Sequence, residues 1–300
     1  MKQHKCIRWA FDLASWNPTL AQLAQAVAVI QPEERKRLMK FVFLDDFLSS
    51  LVGRLLMRKF VSAHSDIDYK DVRFARDVRG KPYWLQADHK YRNQLSFNVS
   101  HQGKFVVLAG ISSESRQEAT ATTPTTTAIP KVGVGVDVMK IEYSGGRNLA
   151  EFFRIMQRKF SDNEWRYIRH PQHNEYDQLK AFMRHWCLKE AYVKELGVGI
   201  TVDLQKISFT VDTTHELDVA ASPLTGTTLR VNDLPQNDWH FEEHLLQPKY
   251  CAAIAFKNFK PELEKFELLK IEQLLVVTEK ATDAGIVDYC REALRKRRKT

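Results

Sequence analysis

The chain has 300 residues, of which 44% are hydrophobic and 27% are charged, and this composition excludes general disorder. No apolar run reaches about 18 residues and the N-terminus lacks the basic-then-apolar pattern of a signal peptide, so we expect a cytosolic protein with no membrane partner. The four cysteines lack CxxC spacing and a nearby histidine pair, which argues against a zinc site or a disulfide framework. The formal charge of +8 favours an anionic partner: a polyphosphate, an acidic protein or nucleic acid.

The first predicted elements are two amphipathic helices in residues 21–64, with Pro32 placed to start the second short segment. Arg54, Arg58 and Lys59 stand among apolar residues of the long helix. Such cations could support a ligand or carrier site, but the pattern is more typical of the solvent face of a helix. We therefore assign these three residues to no site.

Extended structure is predicted next. RGKPYW, residues 79–84, has the Gly-Lys-Pro pattern of a turn that enters an extended segment, and residues 95–112 predict two strands around a turn at 101–103. Residues 113–130 are rich in Thr, Ser and Ala and carry almost no large apolar side chains. We expect them to form a flexible surface insertion, either a long hairpin loop or a domain linker.

Helices dominate the region after Val138. Ser161 and Glu164 have capping-box spacing, and a helix over residues 176–196 has Gly197 as its C-cap. Further strands are predicted at 206–212, 239–246 and 249–257.

Helices followed by strands in each half indicate a duplicated α+β unit. The predicted organisation is an N-terminal lobe (1–112), the insert (113–130), a C-terminal lobe (131–260) and an extension (261–300). The extension ends in the basic run RKRRK, residues 295–299. Such a run is typical of a solvated, disordered terminus, although a nuclear-import or nucleic-acid patch is an alternative.

One face of the helix over 176–196 carries Trp186, Glu190 and Lys194 at steps of four residues. An apolar stripe beside the two charges predicts that this face lies at a core edge. The plain interpretation of Glu190 and Lys194 is a solvated i,i+4 pair, worth about 0.2–0.5 kcal/mol to the helix. The stripe consists of Leu179, Phe182, Trp186, Val193 and Leu196.

GVGVDVMKIE, residues 133–142, places an acid inside a predicted strand. Valines alternate along one face, so Asp137 belongs to the other face. A buried carboxylate is costly unless it meets a cation or hydrogen-bond donors, which makes Asp137 a candidate site residue. An edge-strand aspartate in solvent and a helix N-cap are the alternatives.

VGVDVMK (134–140) followed by WCLKEAYVK (186–194) resembles the paired signature, G-(I/V)-D and W-x-x-K-E-(A/S)-x-x-K, of the 4′-phosphopantetheinyl transferases, and of their larger pseudo-dimeric class in particular. The likeness covers roughly residues 7–256 and includes blocks such as RWAFDLASW, QPEERKRLMKFVF, FNVSHQG and EFFRIMQRKF. It implies an α+β fold of two similar lobes related by a pseudo-twofold axis.

The resemblance also implies an activity. These enzymes move the phosphopantetheine arm of coenzyme A onto a serine of an apo acyl carrier protein and release adenosine 3′,5′-bisphosphate, with Mg²⁺ as cofactor. Fatty-acid-synthase, mitochondrial and aminoadipate-type carrier domains are the implied acceptors. Because the pseudo-symmetry lies within one chain, we expect a monomer.

Residue roles follow by motif position. Asp137 and Glu190 would be the metal ligands, Lys194 would neutralise the pyrophosphate, and Glu190 would also accept the serine proton. Many members have an acid where this chain has Met139, so Gln102 or water could take the third ligand position.

The coenzyme A contacts implied by the resemblance include cationic side chains and turn N–H groups, which suit a multiply anionic nucleotide. For residues 76–81 the alternative is an ordinary solvated turn, and for His101 it is a turn histidine whose hydrogen bonds are satisfied within the protein. The contacts are Arg37; Arg76, Asp77, Val78, Arg79, Gly80 and Lys81; Asn98, Val99, Ser100 and His101; and the three catalytic residues Asp137, Glu190 and Lys194.

EFFRIMQRKF, residues 151–160, has an amphipathic pattern whose apolar and basic surface would suit the acidic helix of a carrier protein. Core packing explains Phe152 and Phe153 at least as well.

Two competing functions are a nucleic-acid-binding protein, based on the basic charge, and a non-catalytic scaffold for coenzyme A and carrier protein. We expect no nucleic-acid partner because no recognisable module supports it, and both predicted metal ligands argue against the scaffold.

Overall fold

The computed structural model describes residues 4–85, 95–113, 132–199 and 202–299, so the predicted insert falls, apart from residue 113, outside the described residues. Helices and strands alternate in the chain, which confirms the α+β class. The chain divides into two compact units. One comprises Ile7–Leu95, Val99–Leu108 and Phe266–Thr300; the other comprises Met1–Cys6, Ser96–Asn98 and Ala109–Lys265.

The elements up to residue 113 include three helices where two were predicted, because residues 40–43 interrupt the pattern between Met39 and Leu44. A capping box of Thr19 and Gln22 starts the first of these helices. The elements are β1 (His4–Asp12), α1 (Leu20–Ala28), α2 (Pro32–Met39), α3 (Leu44–Ala63), β2 (Phe74–Arg76), β3 (Pro82–Trp84), β4 (Leu95–Gln102) and β5 (Phe105–Ser113).

The remaining elements begin at residue 133. They are β6 (Gly133–Lys140), α4 (Leu149–Ile155), α5 (Asp162–Ile168), α6 (Glu175–Leu196), β7 (Ile207–Thr210), β8 (Thr228–Val231), β9 (Leu234–Pro235), β10 (Trp239–Gln247), β11 (Tyr250–Lys257), β12 (Glu267–Leu268) and α7 (Ala284–Leu294). The sheets have the orders β12-β1-β5-β4, β10-β11-β6, β7-β8-β9 and β2-β3.

Helix α3 is buried on nearly all sides, which corrects one prediction. Arg54 and Arg58 were expected on its solvent face, but their exposed fractions are 5% and 0%. A helix that is apolar all round lies within a core, so its cations are buried with it and need partners. Glu34 on α2 supplies those partners.

Helix α6 packs against β6 and β11 and belongs to an aromatic-rich core that includes Phe153, Phe160 and Phe182. The predicted caps are confirmed: Ser161 and Glu164 form a capping box, and Gly197 ends α6 with φ of 64°. In the sheet, antiparallel pairing places Asp137 of β6 opposite Ala253 of β11, in the middle of the strand.

The C-terminal extension packs as part of the fold. β12 adds to β1 as a parallel edge strand, and α7 packs on α1. The basic run, predicted to be a disordered terminus, instead makes hydrogen bonds to the end of α2, to the connection after it and to the first turn of α3, through Lys296, Arg298 and Lys299. The partners are carbonyl groups of Met39 and Phe41 and the carboxylates of Asp45 and Asp46, and the sequence pattern does not reveal them.

Candidate active site

Asp137 faces helix α6 because the strand alternation leaves only glycines on that side of β6 before it. A Cβ atom on Gly135 would lie 2.0 Å from the carbonyl oxygen of Ala191, and one on Gly133 would lie 1.9 Å from Oε1 of Glu195. The contact at Gly135 is with helix backbone, so the absence of a side chain there lets the helix approach the strand, whereas the contact at Gly133 is with the end of a flexible side chain. The close packing carries the C-terminal half of α6 to the acid of β6.

The carboxylate of Asp137 forms an ion pair with Lys194. Oδ1 of Asp137 lies 2.6 Å from Nζ of Lys194, which also donates to the main-chain oxygen of Val136 at 3.4 Å. The side chain of Asp137 is 6% exposed, and that of Lys194 is 28% exposed. Asp137 is therefore neither a solvated edge residue nor a helix cap, and Lys194 pairs with the strand rather than forming a solvated pair within its own helix.

Glu190 lies one helical turn before Lys194 and is half-buried. Burial raises the pKa of its carboxyl group, the negative charge of Asp137 raises it further, and the positive charge of Lys194 partly opposes both. Two carboxylates therefore experience each other's charge in a partly desolvated site. A divalent cation between them would remove that repulsion.

This donor set fits Mg²⁺, which prefers hard oxygen ligands and usually keeps several waters besides one or two carboxylates. Across the described ranges, from residue 4 to 299 with their three gaps, no cluster of three or more His, Cys, Asp or Glu side chains is arranged as a metal site. Asp137 and Glu190 would thus share a cation whose other positions are open to water, phosphate oxygens or an amide oxygen.

Two side chains of β4 accept hydrogen bonds from the backbone of β6, on the side of β6 away from β11. The main-chain N–H groups of Val134 and Val136 donate to Ser96 Oγ at 3.2 Å and to Asn98 Oδ1 at 3.3 Å. The predicted contact of Asn98 with coenzyme A stays a prediction, and in the structure its buried amide helps to hold the strand that bears Asp137. The sequence carries no signal for this contact, because it joins segments 38 residues apart.

Lys189 of the W-x-x-K-E motif is a buried anchor of α6 that the sequence analysis missed. Its Nζ lies 2.9 Å from Oε2 of Glu164 and donates to the carbonyl oxygens of Leu204, at 2.8 Å, and Ile207. Glu164 also accepts from the N–H of Phe209. A paired, hydrogen-bonded lysine of this kind fixes the rotation of the helix, which in turn sets the direction of Glu190.

A second charged cluster brings together guanidinium groups from three segments of the chain. Oε2 of Glu34 lies 2.6 Å from Nη2 of Arg58, and Oε1 lies 3.4 Å from Nε of Arg54. Burial, followed by the charges of Arg76, Arg58 and Arg37, lowers the pKa of Arg54 to about 10 despite Glu34. Burial and the charge of Arg37 likewise lower the pKa of Arg76. Four cations and one carboxylate give this cluster a net positive charge that favours an anion.

A side-chain amide joins the helix that carries Arg37 to the strand that carries Arg76. Gln31, at the start of α2, donates through Nε2 to the carbonyl oxygen of Phe74 at 3.1 Å and accepts from the N–H of Phe74 at 2.6 Å. These paired bonds lock α2 to β2. The structure thus brings together Arg37 and Arg76, two residues that the sequence analysis predicted from separate blocks.

The turn between β2 and β3 is organised by its own aspartate. Oδ1 of Asp77 accepts from the N–H groups of Arg79, at 2.9 Å, and Lys81, at 2.8 Å, and Arg76 Nη1 donates to Gly80 O at 2.5 Å. Gly80 has φ of +86°, which permits the turn. Because these N–H groups are bonded within the turn, its cationic side chains are what it offers to an anion.

The other predicted coenzyme contacts differ in exposure. Val78 is fully exposed, Ser100 is buried and His101 is exposed. Val99 contacts the helix at Gly53, where a Cβ atom would lie 3.4 Å from its Cγ2. The turn predicted at residues 101–103 begins later than expected, because β4 continues through Gln102, so residues 98–101 belong to the strand.

The actual turn is Gly103–Lys104. Gly103 supplies its positive φ of 55°. His101 is therefore a strand residue, as is Gln102.

Two family models match the chain on either side of the predicted insert. One, described as 4′-phosphopantetheinyl transferase, N-terminal, matches residues 14–113, and the other, described as the 4′-phosphopantetheinyl transferase superfamily, matches residues 133–255. The chain is 35% identical over 252 residues to the L-aminoadipate-semialdehyde dehydrogenase-phosphopantetheinyl transferase of Mus musculus, covering 84% of this chain and 75% of that protein.

The chain belongs to the 4′-phosphopantetheinyl transferase superfamily. The corresponding protein of Homo sapiens is 34% identical over 283 residues, with coverages of 90% and 85%. A phosphopantetheinyl transferase of Thraustochytrium sp. is 33% identical over 254 residues, with coverages of 83% and 78%. The resemblance stated from the two motifs and the predicted transferase class are thereby confirmed. None of the transferase's helices in the described residues combines the length and hydropathy that crossing a membrane requires.

Proposed function

We propose that this transferase moves the 4′-phosphopantetheine arm of coenzyme A onto a serine of an apo acyl carrier protein domain, with Mg²⁺, and releases adenosine 3′,5′-bisphosphate. The observation that carries the proposal is the cluster of Asp137, Glu190 and Lys194, which two separated sequence motifs bring onto one strand and one facing helix. Membership of the superfamily supplies the reaction class.

Asp137 and Glu190 would hold the cation through their carboxylate oxygens, and Gln102 or a water would add a further oxygen. Bound there, Mg²⁺ would stabilise negative charge on the pyrophosphate as a Lewis acid. The residues of the chain do the remaining work. The carboxylate of Asp137 holds the ammonium group of Lys194 at 2.6 Å, and that group would neutralise the leaving phosphate as the bond to phosphorus breaks.

Glu190 is the proposed general base. In the reaction, the serine oxygen forms a bond to the β-phosphorus, the bond from that phosphorus to the leaving adenosine bisphosphate breaks, and the serine proton passes to the Glu190 carboxylate, directly or through a water. Its half-buried carboxylate, one helical turn from Lys194 and within the influence of Asp137, lies at the cluster where the serine would be activated. Lys189 and Glu164 hold the helix so that this carboxylate keeps its direction.

The arginine cluster would bind the phosphates of coenzyme A. Arg37 is exposed and lies beside Arg76, and both can donate two hydrogen bonds to a phosphate. Buried Arg54 adds charge behind them. We assign the 3′-phosphate to Arg37, with the exposed cations of the turn, Arg79 and Lys81, contributing to the rest of the nucleotide.

The carrier protein would bind at the surface of α4. Phe153 is buried, and Phe152 stacks on Tyr143 at 4.3 Å between ring centroids, so core packing accounts for both. The exposed face instead carries Ile155 with Arg154 and nearby Arg158.

An apolar residue between two arginines suits an acidic amphipathic helix. Fatty-acid-synthase, mitochondrial and aminoadipate-type carrier domains are the proposed acceptors. A monomer and a cytosolic location stay predictions.

Intact-mass spectrometry of an apo carrier protein tests this function. The carrier is incubated with the transferase, coenzyme A and Mg²⁺, and a parallel sample contains EDTA. The proposal predicts a gain of one phosphopantetheine arm that EDTA abolishes. No gain with several apo carriers, from a folded sample that binds coenzyme A, would favour the non-catalytic scaffold instead.

A further inference from the structure

The last four described residues, Lys296–Lys299, form a clasp over the connection between α2 and α3. Nζ of Lys296 donates to the carbonyl oxygens of Met39, at 3.0 Å, and Phe41, at 2.6 Å. The N–H of Leu44, the first residue of α3, donates to the carbonyl oxygen of Arg297 at 2.8 Å. The clasp thus satisfies backbone groups that the end of one helix and the start of the next leave open.

Two ion pairs add to the clasp. Arg298 Nη1 lies 2.8 Å from Asp45 Oδ1, and Lys299 Nζ lies 2.6 Å from Asp46 Oδ1. Both pairs are partly solvated, and exposed pairs of this kind contribute little individually. The half-buried ammonium group of Lys296, with its two carbonyl partners, is therefore the strongest single contact of the clasp.

Helix α2 depends on such outside contacts. It has eight residues, of which only Glu34 and Leu38 are buried, and isolated helices shorter than about 12–15 residues are marginal in water. Gln31 fixes its N-terminal end to Phe74, and Glu34 fixes its middle to Arg58.

At its C-terminal end the helix is held by the extension. The hydroxyl of Tyr289 donates to the carbonyl oxygen of Arg35 at 2.8 Å, and Lys296 holds the residues after Arg37. Arg37 lies on the last turn, between these two contacts.

We propose that Lys296 is a positioning residue for Arg37: by holding the C-terminal end of α2, it directs that guanidinium toward the 3′-phosphate of coenzyme A. This inference rests on the proposed function for the identity of the anion. It gives the C-terminal extension, which lies beyond both matched family models, a part in coenzyme recognition.

The test compares Lys296→Met, which removes the charge and keeps the length, with Lys296→Arg, which keeps a donor. Arg291→Ala is the matched control, because it removes a cation of the same extension whose partner, Asp288, lies on the same helix. Calorimetry would measure the affinity for coenzyme A and for 3′-dephospho-coenzyme A, and hydrogen exchange would report the amides of α2.

For Lys296→Met we expect an affinity for coenzyme A about three- to tenfold weaker, with 3′-dephospho-coenzyme A unchanged and faster exchange in α2. Lys296→Arg should largely restore both values, and Arg291→Ala should change neither. At saturating coenzyme A the turnover of Lys296→Met should match that of the wild type.

An equal loss for the two ligands, or an unchanged affinity for coenzyme A alongside faster exchange in α2, would overturn the positioning role. These outcomes differ from failure of the proposed function, in which the wild-type transferase itself would modify no carrier. The exchange measurement needs no coenzyme, so slow exchange of α2 in Lys296→Met would also overturn the inference on its own.

Discussion

The two charged clusters of this transferase are built on opposite principles. Around Asp137, a helix is pressed onto a strand that lacks side chains at Gly133 and Gly135, and two carboxylates face one lysine. Around Glu34, a single carboxylate faces several guanidinium groups from separate segments. The first cluster has the charge to receive a cation and the second has the charge to receive an anion. The proposed reaction, transfer from a polyphosphate with the help of Mg²⁺, would need one of each.

The largest effect should follow from changing the acid of the first cluster. Asp137→Asn keeps the shape but removes a metal ligand and the partner of Lys194. We expect the transfer rate to fall by about 10²–10³-fold, since electrostatic stabilisation of the pyrophosphate would be lost. Rates would be measured by intact mass at saturating coenzyme A. Circular dichroism should show a folded protein, and wild-type turnover by this variant would contradict the metal assignment.

The packing of α6 on β6 predicts the next largest effect. Gly135→Ala would place a methyl group 2.0 Å from a main-chain oxygen, which forces the helix away from the strand. We expect the free energy of unfolding to fall by about 1–3 kcal/mol, with slower transfer because Glu190 and Lys194 move with the helix.

Gly53→Ala in α3 is the matched control. Its methyl group would make ordinary contact with Val99, 3.4 Å away, and alanine favours the helix by about 1 kcal/mol. Denaturant melts of the two variants separate the cases. An equal change in the free energy of unfolding for the two variants would show that the close approach of α6 to β6 at Gly135 is not needed.

A smaller and more selective effect is expected in the second cluster. Arg37→Ala removes an exposed cation, so the affinity for coenzyme A should weaken by about tenfold while that for 3′-dephospho-coenzyme A stays nearly constant. Isothermal titration calorimetry with both ligands measures the difference. Equal weakening for the two would remove the 3′-phosphate from Arg37, although it would leave the charge argument for the cluster intact.

The sequence was sufficient to predict the first cluster because its parts are local. The alternation of residues 133–138 places Asp137 on one face, and the steps of four along 186–194 place Glu190 and Lys194 on another, so only the meeting of two elements had to be inferred. The caps at Ser161 and Gly197 are local in the same sense. Family resemblance supplied the pairing of the two elements.

The parts that could not be predicted depend on distant partners. Arg58 has the sequence pattern of a solvent-facing residue, yet it is buried because Glu34, 24 residues earlier, meets it. Lys189 pairs with Glu164, and Asn98 accepts a hydrogen bond from the backbone of β6. Both contacts join residues at least as far apart in sequence as Arg58 and Glu34. Lys296 contacts residues about 255 positions away. No local periodicity encodes such contacts.

The pH dependence of the site follows from the direction of the shift at Glu190. Its pKa is raised in the folded protein, so the native state binds this proton more tightly than the unfolded chain does, and metal-free stability falls as pH rises from the unfolded pKa through the raised one. Glu190→Gln should therefore be more stable than the wild type above that window when Mg²⁺ is absent. Thermal melts across the pH range, with and without Mg²⁺, measure this.

The central claim is that Asp137 and Glu190 share one cation site, and carbon-13 NMR of the Glu190 carboxyl group tests it most directly. Its pKa would be measured in the metal-free wild type, in the wild type with Mg²⁺, and in Asp137→Asn without metal. The account predicts a raised pKa in the first sample and a lower pKa in each of the other two, because the cation or the loss of the neighbouring charge removes the repulsion. An identical pKa in all three samples would contradict it.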